Sequence, residues 1–546
     1  MEPLYKTYCT DGFDENGILN RLSVRYPDQF NFGYDIVDEW ARREPDRRAL
    51  YWVNTTGEER QFSFSELSRL SNQAANVFLK HGIRKGDVVM LILKRHYQYW
   101  YVITALHKIG AIAVPATHLL TTKDLVYRID AASIKAVVCT ADGEVADDVD
   151  AAQPQCDSLQ LKFMVNRKRE GWLDMDEEIE QASDALERVD TNATDPFLLY
   201  FTSGATGYPK MALHDHTYPL GHILTAVYWQ NVDPEGIHLT LSDTGWAKAA
   251  WGKIYGQWIA GTTVFVYDFD KFVPEELLHM LKTHRITTFC APPTVFRFLI
   301  QEDLKKYPLP DLTYATIAGE ALNPEVYHKF YQNVGVRLME GFGQSETTVL
   351  LGNVKGMTPK PGSMGIPLPL YDIDLYDEND QPVPAGTVGE IVVKVPKGKK
   401  QIGLYRAEEK TEEVWHNGHY HTGDTAWKDE DGYYWYVGRT DDLIKSSGYR
   451  IGPFEIESVL MEHPSVVECA VTGADDPIRG RVVKATIVLA KGYTPSSALK
   501  KEIQTFVKNM TAPYKYPRIV EFVEELPKTV SGKIKRADIR KQDEQA

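Results

Sequence analysis

The sequence predicts an α/β protein with a large N-terminal domain of parallel-rich sheets, a β-rich subdomain and a small α+β C-terminal domain. Helical and strand-like segments alternate up to about residue 341. Short strands and turns rich in glycine and proline fill residues 362–437, and a third pattern begins near residue 441. Apolar residues make up 43% and charged residues 25% of the 546 residues, which excludes a disordered, collagenous or coiled-coil chain.

The first segment, within residues 1–440, is predicted to consist of βαβ units. Residues 65–81 (SELSRLSNQAANVFLKH) carry apolar side chains at helical spacing. Short apolar runs rich in β-branched residues lie between such helices, and they are typical of parallel strands that are covered on both faces. These runs are residues 88–93, 136–139, 263–266, 287–290 and 315–318.

The rest of the chain is predicted to form two further units. Strand-like runs at residues 371–376, 389–395 and 432–437, separated by turns, indicate a β-rich subdomain over about 362–437. In the C-terminal domain, residues 441–546, two strand-like runs precede a helix predicted by its periodicity. These three elements are residues 466–472, 482–489 and 497–510.

Charge and cysteine content limit the function. The net charge of −15 argues against a general nucleic-acid binder, which needs a basic face. The longest uncharged apolar stretch, residues 254–267, is too short to span a bilayer. The five cysteines form no C-x-x-C pair, which predicts neither a zinc site nor a disulfide framework. Because the first residues resemble neither a secretory signal nor a transit peptide, we expect a cytoplasmic protein.

A glycine- and hydroxyl-rich loop follows the apolar run at residues 197–201. Residues 202–210 read TSGATGYPK. Glycines allow a close backbone approach, backbone N–H groups and hydroxyls can hold phosphate oxygens, and Lys210 adds positive charge. The pattern is not G-x-x-x-x-G-K-[ST], so it does not indicate a Walker-type NTPase.

This loop resembles the signature of the adenylate-forming superfamily, which includes acyl-CoA synthetases, luciferases and the adenylation domains of peptide synthetases. Five more motifs follow in the order that the superfamily has them, and Phe and Ser replace the usual Tyr and Thr in the second. They are residues 319–321 (GEA), 340–346 (EGFGQSE), 420–424 (YHTGD), 438–445 (GRTDDLIK) and 527–533 (PKTVSGK). Six ordered motifs identify the chain as a member of this superfamily.

The chain is most similar to the medium-chain acyl-CoA synthetases within the superfamily. Residues 242–246 (SDTGW), 447–453 (SGYRIGP) and 511–518 (TAPYKYPR) carry that likeness. The resemblance implies that ATP activates a short-, branched- or medium-chain carboxylic acid to an acyl-adenylate plus pyrophosphate. The acyl group is then transferred to the thiol of coenzyme A, and AMP leaves. ATP, Mg²⁺ and coenzyme A are the implied cofactors.

The resemblance implies a role for each matched residue in the first step. Lys533 would bridge carboxylate and α-phosphate oxygens, Glu346 would bind Mg²⁺, and Ser345 would bond the α-phosphate. Asp424 and Arg439 would bind the ribose hydroxyls. The full ATP-binding set is Thr202, Ser203, Gly204, Ala205, Thr206, Gly207, Lys210, Gly319, Glu320, Ala321, Glu340, Gly341, Phe342, Gly343, Gln344, Ser345, Asp424, Arg439, Arg450 and Lys533.

The second step involves other residues of the C-terminal domain. Gly448 would let the pantetheine arm pass between Ser447 and Tyr449. Arg479 and Lys508 match positions that meet the nucleotide of coenzyme A. The resemblance further implies that this domain is mobile and rotates about a hinge at Asp441 between the two steps.

Three residues are candidates for the acyl pocket. Trp246 matches an aromatic gate between the pocket and the pantetheine tunnel. Trp251 is a candidate for the pocket floor, and Lys248 could attract the substrate carboxylate. Two bulky indoles would shorten the pocket and favour short or branched acids.

Three alternatives to this interpretation stay open at this point. The enzyme could be an aryl-CoA ligase of the benzoate type, it could pass the acyl group to a carrier protein, or it could be a non-catalytic nucleotide-binding protein. Arg479 and residues 447–449 favour coenzyme A as acceptor. Lys533 and Glu346 together argue against the non-catalytic alternative.

Overall fold

The computed structural model describes residues 2–202, 209–320, 322–395, 401–405, 414–446, 449–529 and 533–545. Within these residues, strands form two large, mostly parallel sheets, two smaller sheets and one short hairpin, Cys9–Phe13 with Leu19–Val24. The predicted fold class, α/β with a smaller α+β C-terminal unit, is confirmed. None of the described helices is both long enough and apolar enough to cross a membrane.

The first large sheet has seven strands. Neighbouring strands are parallel, apart from the antiparallel pair that begins at Pro196 and ends at Asp215. In spatial order the strands are Lys210–Asp215, Pro196–Thr202, Ile112–Pro115, Val88–Ile92, Ala136–Thr140, Leu161–Val165 and Leu173–Asp174. The buried central strands explain the apolar runs of the sequence.

The second large sheet has nine strands, and its six central strands are parallel. In spatial order they are Ile366–Pro367, Val349–Gly352, Leu338–Gly343, Tyr314–Ile317, Thr288–Ala291, Ile237–Thr240, Thr263–Asp268, Arg48–Asn54 and Glu59–Ser63. The first two and the last are antiparallel to their neighbours.

Helices cover the faces of these sheets. Helix Phe64–Lys80 begins with a capping box between Ser63 and Glu66 and buries an apolar face, as its periodicity predicts. The other α-helices of this part are Glu39–Arg43, Gln98–Lys108, Thr122–Ala132, Val145–Ala152, Met175–Gln181, Tyr218–Ile223, Ala247–Gly252, Tyr255–Ala260, Pro274–Thr283, Pro293–Leu299 and Pro324–Val334. Short 3₁₀ or π turns are Leu4–Thr7, Gly33–Asp38, Gln153–Gln155, Leu224–Trp229 and Leu304–Lys306.

An antiparallel sheet occupies the turn-rich region of the sequence. Its strands are Asp372–Tyr376, Gly389–Lys394, Trp415–His416, His419–Lys428 and Tyr434–Arg439. Strand His419–Lys428 is central and pairs with three others, so both of its edges are hydrogen-bonded.

The C-terminal elements form a separate sheet with its own apolar core. The strands are Ile444–Ser446, Tyr449–Ile451, Val466–Asp476, Gly480–Leu489 and Ile519–Val523, and the helices are Pro453–Leu460, Ser497–Met510 and Arg536–Gln545. The domain boundary at residues 440 and 441 stays a prediction, although the chain passes from one sheet to the next between Arg439 and Ile444.

A buried ion pair fixes the last helix to this C-terminal unit. The Arg536 guanidinium donates to both carboxylate oxygens of Glu457, at 2.8 and 2.6 Å, and Glu457 also accepts from the Val471 amide at 2.8 Å. Removing one partner of a buried pair leaves the other charge without compensation.

We therefore expect Glu457→Ala to destabilise the C-terminal unit by about 3 kcal/mol. Hydrogen exchange of the amides in Arg536–Gln545 should report the loss as faster exchange. Arg42→Ala is the control, because the Arg42 side chain, 70% exposed, pairs with Glu39 at the surface and should contribute under about 1 kcal/mol. Equal exchange in both variants would contradict the prediction.

Candidate active site

The predicted phosphate loop joins two antiparallel strands of the seven-stranded sheet. Thr202 and Lys210 are register partners at its two ends, and the Thr202 hydroxyl donates to the Lys210 carbonyl at 3.4 Å. Ser203, Gly204, Ala205, Thr206 and Gly207 lie outside the described residues.

The 340–346 motif begins as strand Leu338–Gly343 and ends in a turn. The Thr347 hydroxyl accepts from the Gln344 amide at 2.9 Å and holds the turn. The buried His214 ring donates from Nε2 to the Ser345 carbonyl at 2.8 Å, and burial lowers the pKa of His214 to about 4. The Tyr405 amide donates to the Glu346 carbonyl at 2.8 Å. Ser345 and Glu346 are thus both fixed through their backbone carbonyls.

Asp424 and Arg439 face each other on paired strands of the antiparallel sheet. They are register partners, and Arg439 Nη1 lies 3.5 Å from Asp424 Oδ2. Gln344 Nε2 donates to the same carboxylate at 2.5 Å and so connects it to the 340–346 motif. Burial raises the pKa of Asp424, against the opposing effect of the Arg439 guanidinium. The two predicted ribose ligands are therefore brought together.

Lys533, near the C-terminal end of the chain, also acts on the carboxylates of this site. It is exposed, and its backbone is tied to Thr529 by two hydrogen bonds, of 2.7 and 3.1 Å. Burial raises the pKa of Glu346, while the positive charges of Arg439 and Lys533 oppose that rise. Lys533 likewise opposes the raised pKa of Asp424. The charge of Lys533 therefore acts on both Glu346 and Asp424.

The Glu346 carboxylate fits a magnesium ion by its chemistry. Mg²⁺ takes oxygen ligands and is commonly bound by one or two carboxylates together with substrate phosphates. Burial disfavours the charged form of Glu346, and a bound cation would reverse that effect.

A half-buried lysine contacts the backbone just before the 319–321 motif. The Lys248 ammonium donates to the Ala318 carbonyl at 2.6 Å, and burial together with the nearby Lys533 lowers the pKa of Lys248. Glu320 accepts from the Thr294 hydroxyl at 3.0 Å, and Ala321 lies outside the described residues. That Lys248 attracts the substrate carboxylate stays a prediction, and its ammonium already donates to the carbonyl of Ala318, the residue before this motif.

Two indoles fill the space beside the 340–346 motif. A Cβ on Gly343 would lie 2.4 Å from Trp251, and a Cβ on Gly341 would lie 2.5 Å from Trp229. Only glycine allows this approach. The rings of Trp229 and Trp251 pack edge to face at 6.0 Å. Trp251 is buried, as a pocket floor requires.

Trp246 has a different setting from Trp251. It is half-buried and precedes helix Ala247–Gly252 as its N-cap. A Cβ on the preceding Gly245 would lie 2.4 Å from the backbone of Ala116 and Thr117, so the indole is carried on a closely packed turn. The gate role of Trp246 stays a prediction.

The candidate residues for coenzyme A fall into two groups. Ser446 pairs with Gly480, which places Arg479 near the end of strand Ile444–Ser446. Ser447 and Gly448 lie outside the described residues, as do the side chains of Tyr449 and Arg450. Lys508 is exposed at the end of helix Ser497–Met510, with its ammonium 5.7 Å from the centre of the Tyr516 ring.

The predicted hinge lies between two groups of ion pairs. Asp441 Oδ1 lies 3.4 Å from Arg439 Nε in an ion pair, while its neighbour Asp442 accepts a hydrogen bond from Arg540 of the last helix at 2.6 Å. Adjacent aspartates therefore contact opposite sides of the predicted domain boundary. The hinge role of Asp441 stays a prediction.

Two family profiles match this chain. The AMP-binding enzyme profile covers residues 37–400, and the profile of the AMP-binding enzyme C-terminal domain covers residues 455–533. The chain belongs to the AMP-binding enzyme family. The resemblance identified from the six motifs is thereby confirmed.

Relatives in this family match almost the whole chain. The mitochondrial acyl-coenzyme A synthetase ACSM4 of Mus musculus is 44% identical over 97% of this chain and 93% of the relative. The mitochondrial acyl-coenzyme A synthetase ACSM3 of the same species is 41% identical over 100% of this chain and 96% of the relative. A crystal structure of the anthranilate CoA ligase AuaEII with anthranoyl-AMP superposes with a TM-score of 0.86 at 28% identity, covering 95% of this chain and 98% of that chain.

These names correct one prediction. Both relatives are named as mitochondrial, which contradicts a cytoplasmic location, so that prediction is wrong. It rested on the sparse, odd number of cysteines and on the composition of the first residues. Reduced cysteines are compatible with more than one compartment, so they do not distinguish among compartments.

Several residues of the site were not identified from sequence. Tyr436 donates to Asp424 Oδ1 at 3.0 Å, and Trp229 packs on the 340–346 motif. Tyr436 lies three residues before Arg439 on the same strand, and that short spacing was the available signal. Trp229 lies more than 100 residues from the motif it contacts, and no local pattern indicates such a contact.

Glu340 allows a test of the electrostatics of this motif. It is buried, the Leu322 amide donates to its Oε1 at 3.4 Å, and burial holds its pKa well above the usual value of 4.5. The folded state therefore keeps the proton to higher pH than the unfolded state does, and the free energy of unfolding falls as pH rises above 4.5. Glu340→Gln should avoid this fall, and its melting temperature should rise relative to wild type between pH 5 and 8. Glu325→Gln, at an exposed position, should show no such trend.

Proposed function

We propose that the protein is an AMP-forming acyl-CoA synthetase whose acid is of short, branched or medium chain, and that Lys533, Glu346, Ser345, Asp424 and Arg439 form its catalytic centre. The class of enzyme, an acid–thiol ligase that uses ATP, Mg²⁺ and coenzyme A, follows from its family and relatives. The observation that carries the residue assignment is the pairing of Asp424 with Arg439 and the hydrogen bond that connects Asp424 to Gln344 of the 340–346 motif. The charge of Lys533 acts on the pKa of Glu346 and Asp424, which supports its place in the same centre.

In the first step a carboxylate oxygen attacks the α-phosphorus of ATP. A new O–P bond forms, and the bond to pyrophosphate breaks. Lys533 would stabilise the negative charge that develops on these oxygens, and Ser345 would donate a hydrogen bond to the α-phosphate. Phosphoryl transfer depends mainly on such positioning and charge stabilisation. Mg²⁺, held by Glu346, would neutralise phosphate charge.

The nucleotide would be oriented by three groups of residues. Asp424 and Arg439 would bond the ribose hydroxyls, with Gln344 and Tyr436 holding the Asp424 carboxylate. The loop between Thr202 and Lys210 would bind the β- and γ-phosphates. Residues 319–321 would border the adenine.

In the second step the thiolate sulfur of coenzyme A attacks the acyl carbon. A C–S bond forms, the C–O bond to AMP breaks, and the thiol proton goes to solvent. Arg479 and Lys508 would bind the nucleotide end of coenzyme A. Because the charge of Lys533 acts on Glu346, the orientation described here would suit the first step. The C-terminal unit would rotate about Asp441 before the second step.

The size of the acid should be set by Trp251. Its buried indole lies against Gly343 and Trp229 and occupies space that a longer chain would need. This supports a short or branched acid. The relatives named as acyl-coenzyme A synthetases, at 41–44% identity, favour coenzyme A over a carrier protein as acceptor.

An aryl acid is the second candidate substrate. The anthranilate CoA ligase shares the fold at a TM-score of 0.86, yet at only 28% identity. The higher identity of the acyl-coenzyme A synthetases gives the aliphatic acid the stronger support.

A panel of acids tests the proposed function. AMP release is measured with ATP and Mg²⁺, with and without coenzyme A, from acetate to decanoate and with isobutyrate, 2-methylbutyrate and benzoate. We expect turnover that depends on coenzyme A and peaks at a short, branched or medium-chain acid. A peak at benzoate would support the aryl alternative, and pyrophosphate exchange without such turnover would indicate a different acceptor.

Lys533→Ala should lower acyl-adenylate formation at least 100-fold, the order of effect seen when one group that stabilises transition-state charge is removed. Pyrophosphate exchange measures this step directly. Lys535→Ala is the matched control, because Lys535 pairs with Asp538 on the surface. Full exchange activity in Lys533→Ala would rule out the assigned role.

Trp251→Phe and Trp251→Ala should move the preferred acid toward longer chains in that order. Burying one further methylene contributes about 0.8 kcal/mol, or about fourfold in kcat/KM for each methylene admitted. The measurement is kcat/KM across the straight-chain acids. An unchanged optimum in both variants would show that Trp251 does not limit the pocket.

A further inference from the structure

A compact group of two histidines and one aspartate lies in the antiparallel sheet. His416 Nδ1 is 3.1 Å from Asp380 Oδ2, and His421 Nε2 is 3.6 Å from Asp380 Oδ1. One possible ligand atom from each residue lies within 4.8 Å of the other two. None of these residues has a part in the proposed reaction.

The hairpin turn explains why the two imidazoles meet. Asn417 and Gly418, at φ of 52° and 79°, form the turn between strand Trp415–His416 and strand His419–Lys428. His416 pairs with His419, so His421 is its diagonal neighbour on the same face. The two rings stack with centres 3.6 Å apart.

The setting of His421 indicates a ligand-binding site, because one of its ring nitrogens lacks a hydrogen-bond partner among the described residues. Its side chain is only 5% exposed, and Nε2 has no hydrogen-bond partner among the described residues. Nδ1 donates to Glu390 Oε2 at 3.1 Å, which leaves the lone pair on Nε2 directed toward Asp380. A carboxylate on the second ring nitrogen is the usual partner of a metal-binding histidine.

The possible ligand atoms lie close enough for one ion to reach all three after small side-chain rotations. Ligand atoms at about 2.1 Å from a tetrahedral zinc lie about 3.4 Å from one another. His416 Nδ1 is 3.1 Å from Asp380 Oδ2 and His421 Nε2 is 3.6 Å from Asp380 Oδ1, so the two imidazoles, which would tilt out of their stack to share an ion, approach different oxygens of one carboxylate. Asn417 Nδ2 also donates to Asp380, and this bond with the two imidazoles lowers the pKa of the Asp380 carboxyl, although burial alone would raise it.

We propose that Asp380, His416 and His421 form a binding site for a divalent transition-metal ion such as Zn²⁺, with the fourth position open to water. Two imidazoles and one carboxylate suit zinc better than magnesium or calcium, which prefer oxygen ligands. The ion would connect the turn at Asp380 to the hairpin at His416. Glu390, which holds His421, also accepts from the Gly423 amide at 2.8 Å, so the site borders the segment that carries Asp424.

Metal binding to the full-length protein tests the proposal without any measurement of activity. The protein is treated with EDTA, dialysed and titrated with Co²⁺, whose visible absorption reports tetrahedral coordination. Zn²⁺ affinity is then measured by competition with a chromophoric chelator. We expect one equivalent of tetrahedral Co²⁺ that Zn²⁺ displaces, and a higher melting temperature with Zn²⁺ present.

Variants of two proposed ligands and of Glu390 test which residues bind the metal. His416→Ala and Asp380→Asn should each weaken Zn²⁺ binding at least tenfold, and Glu390→Gln by about 10–100-fold. His279→Ala, which removes an exposed imidazole outside the group, is the matched control and should bind as wild type does. His416 is 38% exposed at its side chain, so its loss should leave the metal-free melting temperature within a few degrees. Wild type without this Co²⁺ spectrum, or unchanged affinity in both His416→Ala and Asp380→Asn, would overturn the proposal.

Discussion

The candidate site depends on keeping two carboxylates, Glu346 and Asp424, charged where burial favours their neutral forms. Burial raises the pKa of both, and the positive charges of Arg439 and Lys533 oppose it. Arg439 reaches Asp424 because the two are paired across neighbouring strands. Lys533 comes from the opposite end of the chain, so part of this charge balance is supplied by the C-terminal unit.

This balance explains why the site lies where three sheets meet. The seven-stranded sheet supplies the two ends of the phosphate loop, and the nine-stranded sheet supplies the 340–346 motif. The antiparallel sheet supplies Asp424 and Arg439. Gln344 connects the last two by bonding Asp424 at 2.5 Å and the Thr422 carbonyl at 2.8 Å. A phosphate-rich substrate bound here would meet backbone N–H donors, the carboxylates of Glu346 and Asp424, and the cations of Arg439 and Lys533.

Local pattern predicted much of this fold. The helix over residues 497–510 occurs at the predicted bounds, and the strand predicted at 88–93 is Val88–Ile92. The observed strand ends differ more from the predicted ones where the turn signal in the sequence is weak. The strand predicted at residues 466–472, for example, extends to Asp476. The alternating apolar pattern reports burial, whereas the end of a strand depends on its partner, which sequence alone does not contain.

The candidate site likewise contains residues that the sequence could predict and residues that it could not. Asp424, Arg439 and Glu346 carry their chemistry in motifs, and the structure brings them together. Trp229 and Tyr436 contribute through contacts that only the folded chain creates. The His416 and His421 pair carried a weak signal, since two histidines around an Asn-Gly turn are adjacent only once the hairpin register is known.

The neighbouring aspartates 441 and 442 have a consequence for how binding and movement affect each other. Asp441 contacts Arg439, a predicted ribose ligand, and Asp442 contacts Arg536 and Arg540 of the last helix. A nucleotide that uses the donors of Arg439 competes with Asp441 for them. By thermodynamic reciprocity, a rotation that withdraws Asp441 changes nucleotide affinity by the same factor as the nucleotide changes the rotational equilibrium. If the C-terminal unit rotates about Asp441 as proposed, the short connection between the two sheets would make AMP affinity and domain orientation a single coupled equilibrium.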